Sequence, residues 1–352
     1  MEEQAVDQMG RDNSGRPHSF IFYALTTSIL CFLLLAVPAL TLLLTIAWGI
    51  LVVLAGLYFK PVYLWLMALL NGFSLMLYVA LAHRAYGTTL VLQEGAAALL
   101  AFGCFFGLAI YTMGFLAARG CDYYKIRTWG IAVVLAGVSV YLGWAYYTQG
   151  SIGIEEMETE LNRRLEEAVN TYESTGMLEI YAQQGISKQD LQATFKNLAH
   201  TVARHLPASY YLQGIVAVFF ILLTASFLSL RRKIDRLIRK PYLNEAMPWV
   251  LAWVVIAGLA FCLWGYDQKD VYYYIGSNIL VVMAPITCYY GLAAVVYKMG
   301  EMNPNPRRWL MVVLIILSAV FLPSAIIFLS LFGLFDALLD FRRLRSRREE
   351  PE

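Results

Sequence analysis

The sequence is poor in charge, cysteine and histidine, and it lacks the short motifs that carry most enzyme chemistry. Of its 352 residues 15% are charged and 59% hydrophobic, where soluble domains carry about 25% charged and about 45–50% apolar residues. The formal net charge is +2, so there is no broad basic surface for nucleic acid. The five cysteines (31, 104, 121, 262 and 288) fall in or beside apolar stretches with no CxxC spacing. That spacing argues against a disulfide framework and a thiolate zinc site. Two of the four histidines, His200 and His205, are five residues apart and do not share a helix face, so no metal site and no cofactor are expected. GxxxxGK, GxSxG and HExxH are all missing. Without a P-loop, any ATP-driven step must come from another chain, and the sequence does not read as an enzyme.

What is present is long apolar runs. Residues 19–59 hold no Asp, Glu, Lys, Arg or His, enough for two crossings with Pro38 at a turn between them. Further blocks run Pro61–Ala82, Gly95–Ala118, Thr128–Gln149, Ser209–Leu230, Ala246–Tyr266, Val271–Tyr297 and Trp309–Phe335. A helix needs about 20 apolar residues to cross about 30 Å of hydrocarbon. The expected fold is therefore an all-α, polytopic helical membrane protein with about 8–10 transmembrane helices and an extracytoplasmic helical hairpin. The acidic leader before Ser19 is unlike the n-region of a signal peptide, so the first span reads as an uncleaved anchor.

Lys and Arg gather on the cytoplasmic side of membrane proteins. The loop Arg231–Lys240, "RRKIDRLIRK", sets the orientation. Counting outward from it puts Arg119–Arg127, Lys60, the N-terminal tail and Lys298–Arg308 inside, and Asp267–Asp270 outside. The block Trp309–Phe335 then disturbs the alternation, since a single crossing would put the C-terminal arginines outside. Its 27 residues span roughly 40 Å as one helix, and Pro323 lies near the middle. Two short segments, or a re-entrant hairpin, would bring Arg342, Arg343, Arg345, Arg347 and Arg348 back to the cytoplasm. Aromatic residues such as Trp144, Tyr146, Tyr147, Trp264 and Tyr272–Tyr274 land at the outer ends. They read as an interfacial belt or as a lid over a solute pocket.

The one long polar segment is 150–208. Ile154, Met157, Leu161, Leu165, Val169 and Tyr172 recur at steps of three and four, an amphipathic helix. Ser187 with Asp190 reads as a capping box. Leu191, Phe195, Leu198, Val202 and Leu206 mark the apolar face of a second helix, and Pro207 ends it. Two such helices cover each other as a hairpin, either a cap on the membrane domain or a docking element. The expected organisation is a cytoplasmic tail (1–19), an N-terminal bundle (20–149), the extracytoplasmic segment (150–208), a C-terminal bundle (209–341) and a basic, then acidic, cytoplasmic tail (342–352).

Within the spans, small residues let helices approach closely. Gly103, Gly107 and Gly114 line one face of the fourth span and are the expected packing surface. Ionisable and amide groups in lipid are candidates for solute contact or for interhelical bonds, which singles out Glu94, Asn71 and Asn278. Asp336 and Asp340 end the last block four residues apart. Negative charge at a helix C-terminus opposes the dipole, so each needs a partner. Arg343 is the expected partner of Asp340, and a basic residue of another cytoplasmic segment, such as the Arg231–Lys240 loop, the expected partner of Asp336, tying the last span to the bundle.

Gly333, Asp336, Asp340, Phe341 and Arg342, together with "GSNILVVMAPITCYYGLAAVVY" (276–297), "RRKIDRLIRKPYLNEAMPW" and the two-helix insertion ending in Pro207, resemble the YybS-like family of bacterial polytopic membrane proteins. Tyr290 stands where that pattern has Gln. The family is distantly similar to the substrate-binding subunits of energy-coupling-factor vitamin transporters, whose docking motif Ala24 and Ser28 loosely resemble. The resemblance implies a bacterial inner-membrane subunit, embedded in the lipid bilayer, that binds a small vitamin-like solute. Separate ATPase and coupling subunits would be its partners. The alternative is a membrane scaffold or regulatory protein docking partners through its outer hairpin or basic tail.

Overall fold

The computed structural model describes residues 19–86, 97, 99–183, 185, 187–231, 237–267 and 271–343. Among the described residues every regular element is helical, and the chain is an all-α polytopic membrane protein. Seven helices are long and apolar enough to cross a bilayer, and Phe20–Ala36 and Trp249–Trp264 are shorter apolar helices. The chain divides into two compact units, 1–144 with 213–239, and 145–212 with 240–352. This grouping differs from consecutive blocks along the chain, because most of one span from the C-terminal half packs with the N-terminal spans.

The first unit holds α1 (Phe20–Ala36), α2 (Thr41–Tyr58), α3 (Pro61–Tyr86), α4 (Leu99–Ala118), most of α5 (Tyr123–Gln149) and, after the hairpin, most of α9 (Leu206–Arg231). Pro38 opens a single 3-10 turn between α1 and α2, and Pro61 occupies the first position of α3, where its missing N–H costs nothing. Packing runs through glycines: a Cβ on Gly56 would strike the Gly114 carbonyl, and one on Gly137 the Cys104 carbonyl. Gly49 lies under Ile221, and Gly130 under Val218. Those two contacts bring α9 into this unit.

The small-residue face expected on α4 is only partly used. Gly114 packs against Val52 and Gly56, but a Cβ on Gly103 would meet nothing and one on Gly107 only distant atoms. The physical reason is local: Gly103–Gly107 forms a π-helical turn. The wider turn rotates these residues relative to Gly114, so the three no longer form one stripe.

The second unit holds the hairpin helices α6 (Ile154–Ser174), α7 (Met177–Gln183) and α8 (Lys188–Arg204), then α10 (Trp249–Trp264), α11 (Val271–Gly300), α12 (Pro304–Val320) and α13 (Leu322–Leu339). Gly153, at φ 81°, supplies the left-handed turn that opens α6. Lys188 pairs with Glu173 and His200 with Glu158, so α6 and α8 run antiparallel. The capping box forms: the Ser187 hydroxyl accepts from the Asp190 N–H, and Asp190 accepts from the Ser187 N–H. The second helix buries a different stripe from the one its large residues suggest. Ala199 and Ala203 are buried, while Leu198 and Val202 are exposed, because small side chains at i and i+4 let α8 approach closely.

Gly276 meets Cys262 and the Gly258 carbonyl, and Gly258 meets Ile279, so α10 and α11 are antiparallel. Gly291 abuts Leu329 and Gly333, and Ser330 lies on the Ala284 carbonyl, so α11 and α13 are parallel. The apolar block 309–335 is thus two helices broken at Phe321. α12 leaves from the end where α11 finishes, and α13 returns there, with Arg342 5.9 Å from the Tyr297 ring. The core of this unit is Met247, Ala252, Val255, Met283, Tyr290, Leu334 and Ala337.

Candidate functional site

Three polar constellations stand out, one in the first unit and two in the second. The first surrounds Asn71, buried on α3. Its Oδ1 accepts from Ser28 Oγ at 3.0 Å and lies 3.2 Å from Thr27 Oγ1; its Nδ2 donates to the Tyr111 hydroxyl at 2.8 Å. Ser74 donates to the Ser28 carbonyl at 2.7 Å. Three helices, α1, α3 and α4, are therefore stitched by one amide. Tyr111 accepts here, which leaves its own hydrogen to donate.

Beside Tyr111 stands Trp48 on α2, with the rings T-shaped at 5.7 Å, and Phe102 lies 5.3 Å from Trp48 on its other side. Trp48 is 2% exposed and Thr45, one turn before it, 0%. Yet among the described residues neither Trp48 Nε1 nor Thr45 Oγ1 has a hydrogen-bond partner. A buried donor left without a partner costs about 1–3 kcal/mol, so two on one helix face are costly. The π turn begins directly after Phe102, and such turns occur often at functional sites. The arrangement suits a small molecule bearing hydrogen-bond acceptors, such as carbonyl or carboxylate oxygens.

The second constellation is the exit of the hairpin. His200 Nδ1 lies 3.2 Å from both oxygens of Glu158, and its Nε2 3.2 Å from the Tyr274 hydroxyl. His205 Nε2 lies 3.0 Å from Ser277 Oγ, and its Nδ1 2.7 Å from the Thr201 carbonyl. Asn278 accepts from the Ala208 N–H at 2.9 Å and donates to the Arg204 carbonyl at 3.0 Å. Asn278, expected as a solute contact, here bonds the α8–α9 junction to α11. Among the described residues no three His, Cys, Asp or Glu side chains converge as a metal site would require.

The third lies where α13 ends. Arg342 reaches back to Asp336, with Nη2 at 2.7 Å and Nε at 3.0 Å from Oδ2. It also donates to the Leu243 carbonyl at 2.7 Å and the Glu245 carbonyl at 2.8 Å. Arg342 is 2% exposed and Asp336 4%, so this is a buried ion pair. Tyr289 donates to Glu245 at 2.8 Å, and Tyr242 to the Tyr289 carbonyl at 2.7 Å. The described partner of Asp336 is thus Arg342, six residues on, rather than a base from the Arg231–Lys240 loop, whose residues 232–236 lie outside the described set. The link to another segment exists, but it runs through the Arg342 guanidinium to two backbone carbonyls. Asp340 and Arg343 do not share a helix: α13 ends at Leu339, Asp340 is left-handed at φ 47°, and the Arg343 N–H donates to the Asp340 carbonyl at 2.8 Å.

Of the three proposed solute contacts, Asn71 and Asn278 are each bonded within a different unit, and Glu94 lies outside the described residues. Sequence reasoning missed Trp48 and Thr45, since a Trp inside an apolar run looks like ordinary core. The signal available was their spacing, i and i+3, in a span whose only other hydrogen-bonding side chains are Thr41 and Tyr58, at its two ends.

A family model described as "Predicted membrane protein (DUF2232)" matches residues 24–337. No curated protein and no solved structure matches the chain. The chain belongs to the DUF2232 family.

Proposed function

We propose that this DUF2232 member is the solute-capturing subunit of a multicomponent transporter in a bacterial inner membrane, with its N-terminus cytoplasmic and its hairpin outside. The observation that carries the reading is the unmet donor pair, Trp48 Nε1 and Thr45 Oγ1, beside the Asn71–Tyr111 hydrogen bond in the first unit. A bound acceptor removes the cost of those donors, which is how a largely apolar site gains both affinity and specificity. The resemblance to YybS-like proteins and to energy-coupling-factor substrate subunits supports the same reading, and so does the missing P-loop. ATPase and coupling subunits then come from other chains, and the role is binding rather than catalysis.

The test is mass spectrometry of the protein purified natively from its host. A small organic molecule is expected to co-purify. Its occupancy should fall at least about tenfold in Trp48→Phe, which keeps the ring and removes the donor. A co-purifying ATPase assigns the transport role. If the parent carries no such molecule, or if Trp48→Phe retains it fully, the reading fails. The hairpin supports the scaffold alternative through its exposed charged face, where Arg163 bridges Glu160 and Glu167. Recovery of an envelope protein in place of an ATPase would favour it.

A further inference from the structure

Outside the three polar constellations, the second unit contains an apolar groove of about 800 Å³ between α11, α12 and α13. α11 contributes Leu292, Val296 and Met299 to its wall; Met311, Leu314 and Ile315 line it from α12, and Ala325 and Phe328 from α13. Its only polar lining side chains are Ser318 and Ser324. The groove exists because α12 stands away from its neighbours: nearly every described residue from Pro304 to Val320 is exposed. Apolar surface left this exposed among the described residues is covered by lipid in a membrane.

The ends of the groove differ in kind. Along α12 the lining runs from Met311 to Phe321, roughly 15 Å at 1.5 Å per residue. That is the depth of one leaflet, half of the about 30 Å hydrocarbon core. One end lies at the break between α12 and α13. At the other, one turn before Met311, stand Arg307 and Arg308, followed by the exposed Trp309. Lys298, adjacent to the lining residue Met299, is bridged by Glu301 at 3.0 Å. Neither Arg307 nor Arg308 has an ion pair among the described residues.

The geometry points to a site for one anionic phospholipid of the surrounding leaflet, its acyl chain in the α11–α12–α13 groove and its headgroup phosphate on Arg307 and Arg308. The charge selects the headgroup, since the two guanidiniums, without an ion pair among the described residues, complement a phosphate and bind it bidentately. The depth selects the tail, since a chain entering from the arginine end reaches the α12–α13 break and stops. The site is independent of the solute cluster, which lies in the other unit.

The test uses the full-length protein in a mild detergent, with phosphatidylglycerol and phosphatidylcholine of identical acyl chains as probes, read by native mass spectrometry. The parent should retain one phosphatidylglycerol in preference to phosphatidylcholine. Arg307→Gln with Arg308→Gln should weaken retention of phosphatidylglycerol about thirtyfold, from about 1 kcal/mol per basic residue, and leave phosphatidylcholine unchanged. Ala325→Trp, which fills the groove, should reduce retention of both lipids. Thermal melting and gel filtration establish that each variant is folded, and if Ala325→Trp does not fold, the arginine variant decides alone. Equal retention of the two lipids by the parent, or unchanged phosphatidylglycerol retention in the double glutamine variant, overturns the proposal.

Discussion

Arg342 is the residue on which the end of the last helix depends. It is buried, ion-paired with Asp336, and donates to two carbonyls 97 and 99 residues earlier in the chain. Removing one member of a buried pair typically costs about 3–5 kcal/mol, while replacing both by apolar groups is often neutral. Arg342→Met should therefore destabilise the protein by about that amount, and Arg342→Met with Asp336→Leu should recover part of the loss; denaturant or thermal unfolding in detergent reads both. The Leu243 and Glu245 carbonyls lose their donor in either case, so recovery is incomplete. Additive losses would mean the pair is not coupled. Asp340 acts differently, by adopting the left-handed corner that lets Arg342 turn back. Asp and Asn tolerate that conformation, Gly prefers it, and β-branched residues do not. Asp340→Gly should leave the melting temperature near that of the parent, and Asp340→Val should lower it. Two acids followed by arginines at the end of an apolar block were legible in the sequence as a feature needing offset. The partner was not, because the sequence gives no sign that α13 stops at Leu339 and that Arg342 folds back on it.

At the scale of elements, glycine decides which helices touch. A Cβ on Gly291 would run into the Leu329 carbonyl, and one on Gly333 into the Thr287 carbonyl, and backbone cannot swing aside as a side chain does. Gly333→Val should thus destabilise by about 1–3 kcal/mol or more, whereas Gly107→Val, whose Cβ would meet only the Phe102 carbonyl at 3.8 Å and the Trp48 ring at 4.0 Å, should cost less. If Gly107→Val melts lower than Gly333→Val, the α11–α13 contact has been misjudged. The expected stripe of Gly103, Gly107 and Gly114 could not reveal this, because the π turn that breaks it leaves no mark in composition. The hairpin was more legible. Its capping box and amphipathic period are local signals, and local signals survive folding. What pattern reasoning missed there was the preference for Ala199 and Ala203 over larger neighbours. The hairpin also carries a pH dependence. Hydrogen bonds from Arg163, then Arg164, hold the Glu160 carboxyl down to about 2, and the Ser187 hydroxyl and N–H lower Asp190. A depressed folded value means that each contribution is complete above the unfolded carboxylate range of about 4 and is lost as pH falls toward the folded value. Hydrogen-exchange protection factors in α6 and α8, corrected for the intrinsic pH dependence of exchange, should therefore fall below about pH 4, and Ser187→Ala, worth about 1 kcal/mol, should remove part of the change in α8. Asp190 is exposed and Glu160 about half-exposed, so salt should weaken the Glu160 effect.

For the whole molecule, the route of the last apolar block decides which side the C-terminus faces. A 27-residue uncharged run was legible as too long for one crossing, but nothing in it fixed whether the chain would turn back. The structure answers through register. α11 and α13 are parallel, so α12 must travel the opposite way between them, and Arg342 arrives over Tyr297 at the end where α11 finishes. Lys298, Arg307, Arg308, Arg342 and Arg343 consequently cluster at one end of the second unit, the end that is cytoplasmic in the orientation proposed above. A single α13-like crossing would have split this cluster across the membrane and placed at least two cations on the disfavoured face. Single cysteines at Asn305 and Arg343, in a background lacking the five native cysteines, should react with an impermeant thiol reagent only after permeabilisation. A cysteine at Gln183, beyond the outer aromatic residues, should react in intact cells. Opposite labelling at Asn305 and Arg343 would mean that α12 does not cross. Labelling of both in intact cells, with Gln183 protected, would invert the whole molecule, and would set the anionic-lipid groove in the outer leaflet rather than the inner one.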